Sequence, residues 1–219
     1  MDIVTFGFYT EGTTDDRFLH SIIKRTFEAI ALECIPETEV YDPEVVPAPA
    51  AAFAAAIVAA SRAAAAQGLR VLCVHSDADA RTDEDVFSHK IRPARTALEA
   101  AQLPDSPALV AIVPIHMSEA WILADKELLK AEMGSTATNH DLGLDRPPEA
   151  YADPKAAIEE AIRRAFEHRP RRHRQQVSLR ELYLPIGQKI SLQKLASLPS
   201  YEKFRADVQH AFRQLNYLR

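Results

Sequence analysis

Glu11 and Asp15, in the segment Phe8-Tyr-Thr-Glu-Gly-Thr-Thr-Asp-Asp16, and Asp77 and Asp79, in Val71-Leu-Cys-Val-His-Ser-Asp-Ala-Asp79, place acidic pairs where apolar runs give way to polar ones. Glu119, in Ser118-Glu-Ala-Trp121, follows a further apolar run in the same way. Carboxylates that converge in a crevice repel one another and resist ionisation unless a hard cation neutralises them, so a convergent set points to a divalent metal such as Mg2+ or Mn2+. In this reading Asp77 and Asp79 hold the metal, with Glu11, Asp15 and Glu119 completing the shell. Carboxylate-bound divalent cations activate water and stabilise phosphoryl transfer, which makes phosphodiester hydrolysis the chemistry to expect.

The elements needed to bring these groups together are parallel strands, whose carboxyl ends share one edge of an open α/β sheet. Ile3 to Tyr9 is short, apolar and rich in β-formers, and it ends at Glu11-Gly12 before Thr13-Thr14, which reads as strand, turn and helix start. Phe18, Ile22, Ile23, Phe27 and Ile30 recur at helical spacing and predict an amphipathic helix over residues 14 to 32. A weaker extended stretch covers Glu37 to Val46. An alanine-rich helix then runs to Gly68; with Arg62 inside it and prolines upstream, it reads as packed against the sheet and not as a membrane span. Leu69 to His75 and Leu109 to Ile115 are further strands, Val86 to Ala101 is a helix that Pro93 should break or kink, and Ser118 to Asp125 opens another. The alternation predicts a mainly parallel sheet flanked by helices over residues 1–130, and a helical part, 131–219, packed on it. Tyr201, Phe204, Val208, Phe212 and Leu215 define one face of its last helix.

With 219 residues, 47% hydrophobic and 26% charged, the chain can bury a core without staples. Its two cysteines, Cys34 and Cys73, are far apart and one lies inside a strand, which argues against a disulfide framework or a zinc site. The amino terminus has no basic region and runs straight into a strand. It does not read as a signal peptide, and the expected location is the cytoplasm, away from any membrane.

The net charge of −5 conceals a basic run: Arg163, Arg164, Arg169, Arg171, Arg172 and Arg174, with His168 and His173 among them. One reading is a solvated helix end and loop. The other is a contact to a nucleic-acid backbone, DNA before RNA, in which clustered arginines displace counterions. Lys155 either reaches a phosphate or stands solvated at a helix start. Asp16 suits the first turn of a helix, where the dipole favours a negative charge, and Asp83 and Asp85 suit a cap of the following helix. His75 and His116 read as residues that end their strands, and Trp121 as core.

A strand ending in Glu-Gly, a helix, and a later strand ending in Asp-x-Asp together resemble the Toprim domain of topoisomerases, primases and OLD-family nucleases. Glu11-x-x-x-Asp15 resembles the first acidic pair of the OLD-type Toprim nucleases, Asp77-x-Asp79 the second, and Ser118-Glu119 a third element. Standalone Toprim-like proteins also show Ser-Glu-Ala-Trp, Asp-Pro-Lys and a closing Ser-Phe helix. Here those places are held by Ser118 to Trp121, Asp153 to Lys155 and Ser200 to Phe204, with Tyr201 where Phe is usual. The resemblance implies a metal-dependent nuclease in which Glu11 transfers a proton or shares a metal. It further implies the effector of an anti-phage or DNA-repair system. No Gly-x-x-x-x-Gly-Lys-Ser/Thr loop occurs in the chain, so by the resemblance an ATPase would be a separate partner. A homo-oligomer is compatible with this reading. The large domains of topoisomerases and the zinc module of primases are missing from the sequence. Two rivals stay open: a non-catalytic Toprim-like module that binds nucleic acid or protein, and, more weakly, a metal-dependent nucleotide-sugar transferase, which also uses Asp-x-Asp after a strand.

Overall fold

The structure is a computed structural model that describes residues 2–10, 13–35, 37–49, 51–167 and 177–218, with the side chains of residues 13–15 outside the description. Strands β1 (Asp2–Val4) and β2 (Phe6–Tyr9) are followed by helix α1 (Thr13–Ala31), then β3 (Thr38–Val40), β4 (Glu44–Val45), α2 (Phe53–Ala66) and β5 (Val71–His75). Next come α3 (Glu84–Val86), a π-helical turn (Phe87–Ile91), α4 (Arg92–Ala101) and β6 (Ala108–Ile112). From there the described chain is helical: α5 (Glu119–Ile122), α6 (Lys126–Met133), α7 (Asn139–Leu142), α8 (Pro154–Ala165), α9 (Leu179–Lys189), α10 (Leu192–Leu195) and α11 (Pro199–Gln214).

All strand pairs are parallel: β4-β2-β5-β6 form a four-stranded sheet, and β1 and β3, which lead into β2 and β4, pair as a separate two-stranded one. The chain leaves β2 for β4 on one side and returns past it to β5 on the other, so right-handed crossovers must put α1 and α2 on opposite faces. The core shows this directly. Val71 and Cys73 of β5 join Phe6, Phe8 and the α1 residues Phe18, Ile22 and Phe27, whereas Leu72 and Val74 join Ile57, Ala60 and Ala64 of α2. Alternate side chains of one strand thus serve two layers, as its two-residue period requires. Both cysteines are buried and unpaired, and burial pushes their thiols up.

The helical residues beyond 130 complete the α1 face. Tyr201, Phe204, Val208 and Phe212 of α11 are buried as their spacing predicts, and Trp121 is fully enclosed, its indole N–H donating to Ser200 Oγ at 2.8 Å. Helix α9 lies against α1 at Gly187, where the two backbones meet. The guanidinium of Arg25 donates to the carbonyls of Gln188 and Ile190 at 3.1 and 2.7 Å, closing the carboxyl end of α9 where helical carbonyls lack partners. Asp207 of α11 accepts the Ala111 N–H of β6 at 2.8 Å and holds Arg95 at 2.7 Å, so an α11 side chain occupies the free edge of that strand.

Pro93 does not break its helix. The turn before it widens to π geometry, with Arg92 N–H bonding Phe87 O, and the proline falls near the start of α4, where the hydrogen bond it cannot make is absorbed. Among the described residues no helix is long and apolar enough to cross a membrane. A Cβ at Gly187 would press into the Phe18 carbonyl oxygen and lie 3.1 Å from its carbon, contacts only backbone movement can relieve. Gly187→Ala is therefore expected to cost about 1–3 kcal/mol in urea unfolding by prising α9 from α1.

Candidate functional site

The loops after β2, β5 and β6 leave the same edge of the sheet, and the crevice between β2 and β5 is where the connections diverge. Beyond their last ladder residues, the chains following β5 and β6 stay paired. Ser76 N–H bonds Ile112 O, Ala78 N–H bonds Pro114 O, Asp79 N–H bonds His116 O, and His116 N–H returns to Ala80 O. At the end of this extension Asp79 and His116 both adopt left-handed backbone, with φ of 51° and 60°. Side-chain-bearing residues reach that region at some cost, about 1–3 kcal/mol each, and strain of this kind concentrates at sites where geometry matters.

This pairing carries Asp77 to the segment that opens α5. Asp77 Oδ1 accepts the Ser118 N–H at 2.9 Å and lies 3.2 Å from Nε2 of the buried His75. Glu119, the first residue of α5, is also buried. Tyr183 of α9 donates its hydroxyl to Glu119 Oε1, and Ser118 Oγ donates to Oε2 at 3.4 Å. These bonds orient the Glu119 carboxylate. On the opposite face Lys90, set by the π-helical turn, donates to Ser76 Oγ at 2.8 Å and brings a positive charge to the loop that carries Asp77.

The structure thus joins Asp77 to Ser118-Glu119 and leaves Asp79 exposed on the same extension. Glu11 lies outside the described residues. Asp15 sits in the first turn of α1, its side chain outside the description. Asp16 takes the Thr10 hydroxyl at 2.7 Å and so fastens the β2–α1 turn. Asp83 differs from the expectation of a helix cap: its carboxylate makes no capping bond and binds Lys203 of α11 at 2.6 Å. Being buried, that charge requires a charged partner more than a backbone one. Asp85 is in the first turn of α3, as a helix-start acid should be. Among the described residues no group of three or more His, Cys, Asp or Glu side chains is placed to hold a metal ion. The donor chemistry of Asp77 and Glu119 suits a hard cation.

The basic run divides. Arg163 and Arg164, on α8, both grip Glu160, at 2.6 and 2.7 Å, and Arg163 stands 3.8 Å from Glu167. Hydrogen bonds from Arg163 and then Arg164 lower the Glu160 carboxyl from its ordinary 4.5 to about 2. Arg169, Arg171, Arg172 and Arg174, with His168 and His173, lie outside the described residues. Lys155 is exposed in the first turn of α8, behind Asp153, which caps Ala156 N–H at 2.8 Å.

Tyr183, Lys90 and Ser76 had no signal in the sequence as parts of a site. Tyr183 is remote from Glu119 along the chain, and only the rule that a buried tyrosine hydroxyl needs a partner could have flagged it. No protein-family model matches the chain, and comparisons with curated proteins and with solved structures return no match.

Tyr183→Phe removes a donor from a buried carboxylate and should lower stability by about 1–3 kcal/mol in denaturant unfolding. The Glu160 pairing gives a second outcome. Because the folded value is depressed, its contribution is complete above the ordinary 4.5 and is lost as pH falls through about 2. Carbon-detected NMR should place the Glu160 midpoint near 2, rising towards 4.5 in Arg163→Ala/Arg164→Ala.

Proposed function

We propose that the protein is a Toprim-like nuclease that hydrolyses phosphodiester bonds with Mg2+ or Mn2+. The observation that supports this most is the bond from Ser118 N–H to Asp77, which ties the acidic segment after β5 to the one containing Glu119, on the edge where β2 also ends. In this reading Asp77 and Asp79 hold the cation, with Asp15 and Glu119 completing its shell, and Glu11 takes the proton of the attacking water or shares the metal. A bound divalent ion supplies Lewis acidity at the phosphoryl oxygens and a more acidic water. His75 and the Ser118 amide fix the Asp77 carboxylate, while Tyr183 and Ser118 fix that of Glu119, so neither must reorganise when substrate arrives.

The polymer is DNA before RNA, held by Arg169, Arg171, Arg172 and Arg174 with Lys155. Arg163 and Arg164 join by exchanging Glu160 for phosphate. That exchange is open to a phosphate because the pairs are exposed and solvent screens them. A separate ATPase and a role in anti-phage defence or DNA repair belong to the same reading. The rival is a non-catalytic module that keeps the fold and binds nucleic acid or protein.

Calorimetric titration with Mn2+ and Mg2+, beside plasmid and single-strand cleavage assays, separates the two. The expected result is saturable metal binding that Asp77→Ala and Glu11→Ala each weaken, with cleavage lost in parallel, and about a 10–100-fold loss of metal affinity in Tyr183→Phe. No metal binding at millimolar concentration would remove the nuclease and leave the binding module.

A further inference from the structure

The two edges of the sheet are treated differently. On β6 the outward peptide groups are engaged by side chains: Asp207 takes the Ala111 N–H, and Arg95 donates to Leu109 O at 3.5 Å. The β3–β4 edge has no such cover among the described residues. Asp2 N–H bonds Glu37 O and Tyr41 N–H bonds Val4 O, so the register turns the Val40 peptide groups away from β1. Val46 N–H bonds Phe8 O, which likewise turns those of Val45 outward from β2. Exposed edge groups are a template for another strand, and folds normally close them.

Side chains at this edge give it a chemical character. Of the large apolar residues exposed on the described surface, Ile3, Leu32, Ile35, Tyr41 and Val45 lie here and only Leu184 lies elsewhere. Ile3 stands opposite Glu39 in the β1–β3 register, and Leu32 and Ile35 line an open cleft with Glu37, Glu39 and Val40. Around them the charge is negative. Glu37, Glu39 and Glu44 are exposed and make no ion pair with any described residue, and the nearby cation Lys24 is already held by Asp42 at 2.6 Å. Charge alone is a familiar way to blunt an edge. It does not account for apolar side chains gathered at the same place and so few elsewhere.

We propose that the β3–β4 edge is a docking site for an extended, basic segment of a partner protein, added as a further strand. Main-chain groups of Val40 and Val45 would supply affinity, the apolar side chains would pack against alternate residues of the incoming strand, and the glutamates would select lysine or arginine between them. A second copy of the chain offering the same edge would set Glu37, Glu39 and Glu44 against their own kind, which disfavours self-pairing. Nucleic acid is repelled by the same charges.

The probe is a short peptide alternating lysine with valine, with a glutamate-valine peptide as control, read by amide exchange of the whole chain. The expected result is saturable binding that slows exchange at Val40 and Val45, weakens at least about ten-fold in Glu39→Lys/Glu44→Lys, and is lost in Val40→Pro. Val40→Pro removes an outward N–H and no ladder bond; should it fail to fold, the surface double variant still decides. Equal binding of the glutamate peptide, protection at other residues, or no binding at millimolar peptide would overturn the proposal. Protection of Val40 and Val45 by the chain's own self-association would overturn it in favour of self-pairing.

Discussion

Parallel pairing puts the carboxyl ends of neighbouring strands on one side, and β5, buried on both faces between β2 and β6, imposes that direction on the whole sheet. Because the pairing with β6 continues past the last ladder residues, the segment carrying Asp77 and Asp79 is fixed against the segment that becomes α5. Without that extension Asp77 would project from a free loop. With it, the Ser118 amide has a fixed acceptor and the first residue of α5, Glu119, arrives beside it.

The helices beyond residue 130 act on the same edge from behind. Helix α9 is drawn against α1 at a glycine and closed by Arg25, and this placement brings the Tyr183 hydroxyl to Glu119. Helix α11 runs beside β6, where Asp207 engages the strand edge and Lys203 neutralises Asp83. The carboxyl-terminal helices therefore share one apolar core with α1 and the sheet, and they also set the polar partners of carboxylates far away in sequence.

Charge on this protein is distributed by local pairing more than by its net value. Arg163 and Arg164, read from sequence as part of a basic run, meet the carboxylate of Glu160 on the same helix, because residues three and four apart share a helical face. The acidic β3–β4 edge, by contrast, retains glutamates without described ion-pair partners beside apolar side chains.

The order of strands and helices was legible in the sequence because apolar periodicity records which face of each element is buried. The parallel sheet, the α1 face and the buried stripe of α11 follow from it, as does the enclosure of Trp121. Pro93 misled because a proline's missing hydrogen bond can be absorbed by one widened turn, an adjustment that leaves no trace in residue type. The carboxylates that follow β5 and β6 could be assigned to one edge from strand direction alone. Which polar group each would meet could not: Asp77 with Ser118, Glu119 with Tyr183 and Asp83 with Lys203 are contacts across long stretches of chain, fixed by how packed layers bring backbones together. Sequence determined the elements and their buried faces, since both depend on local spacing. Tertiary structure alone decided the partners of the charges, since a hydrogen bond depends on distances of a few ångströms that no local pattern encodes.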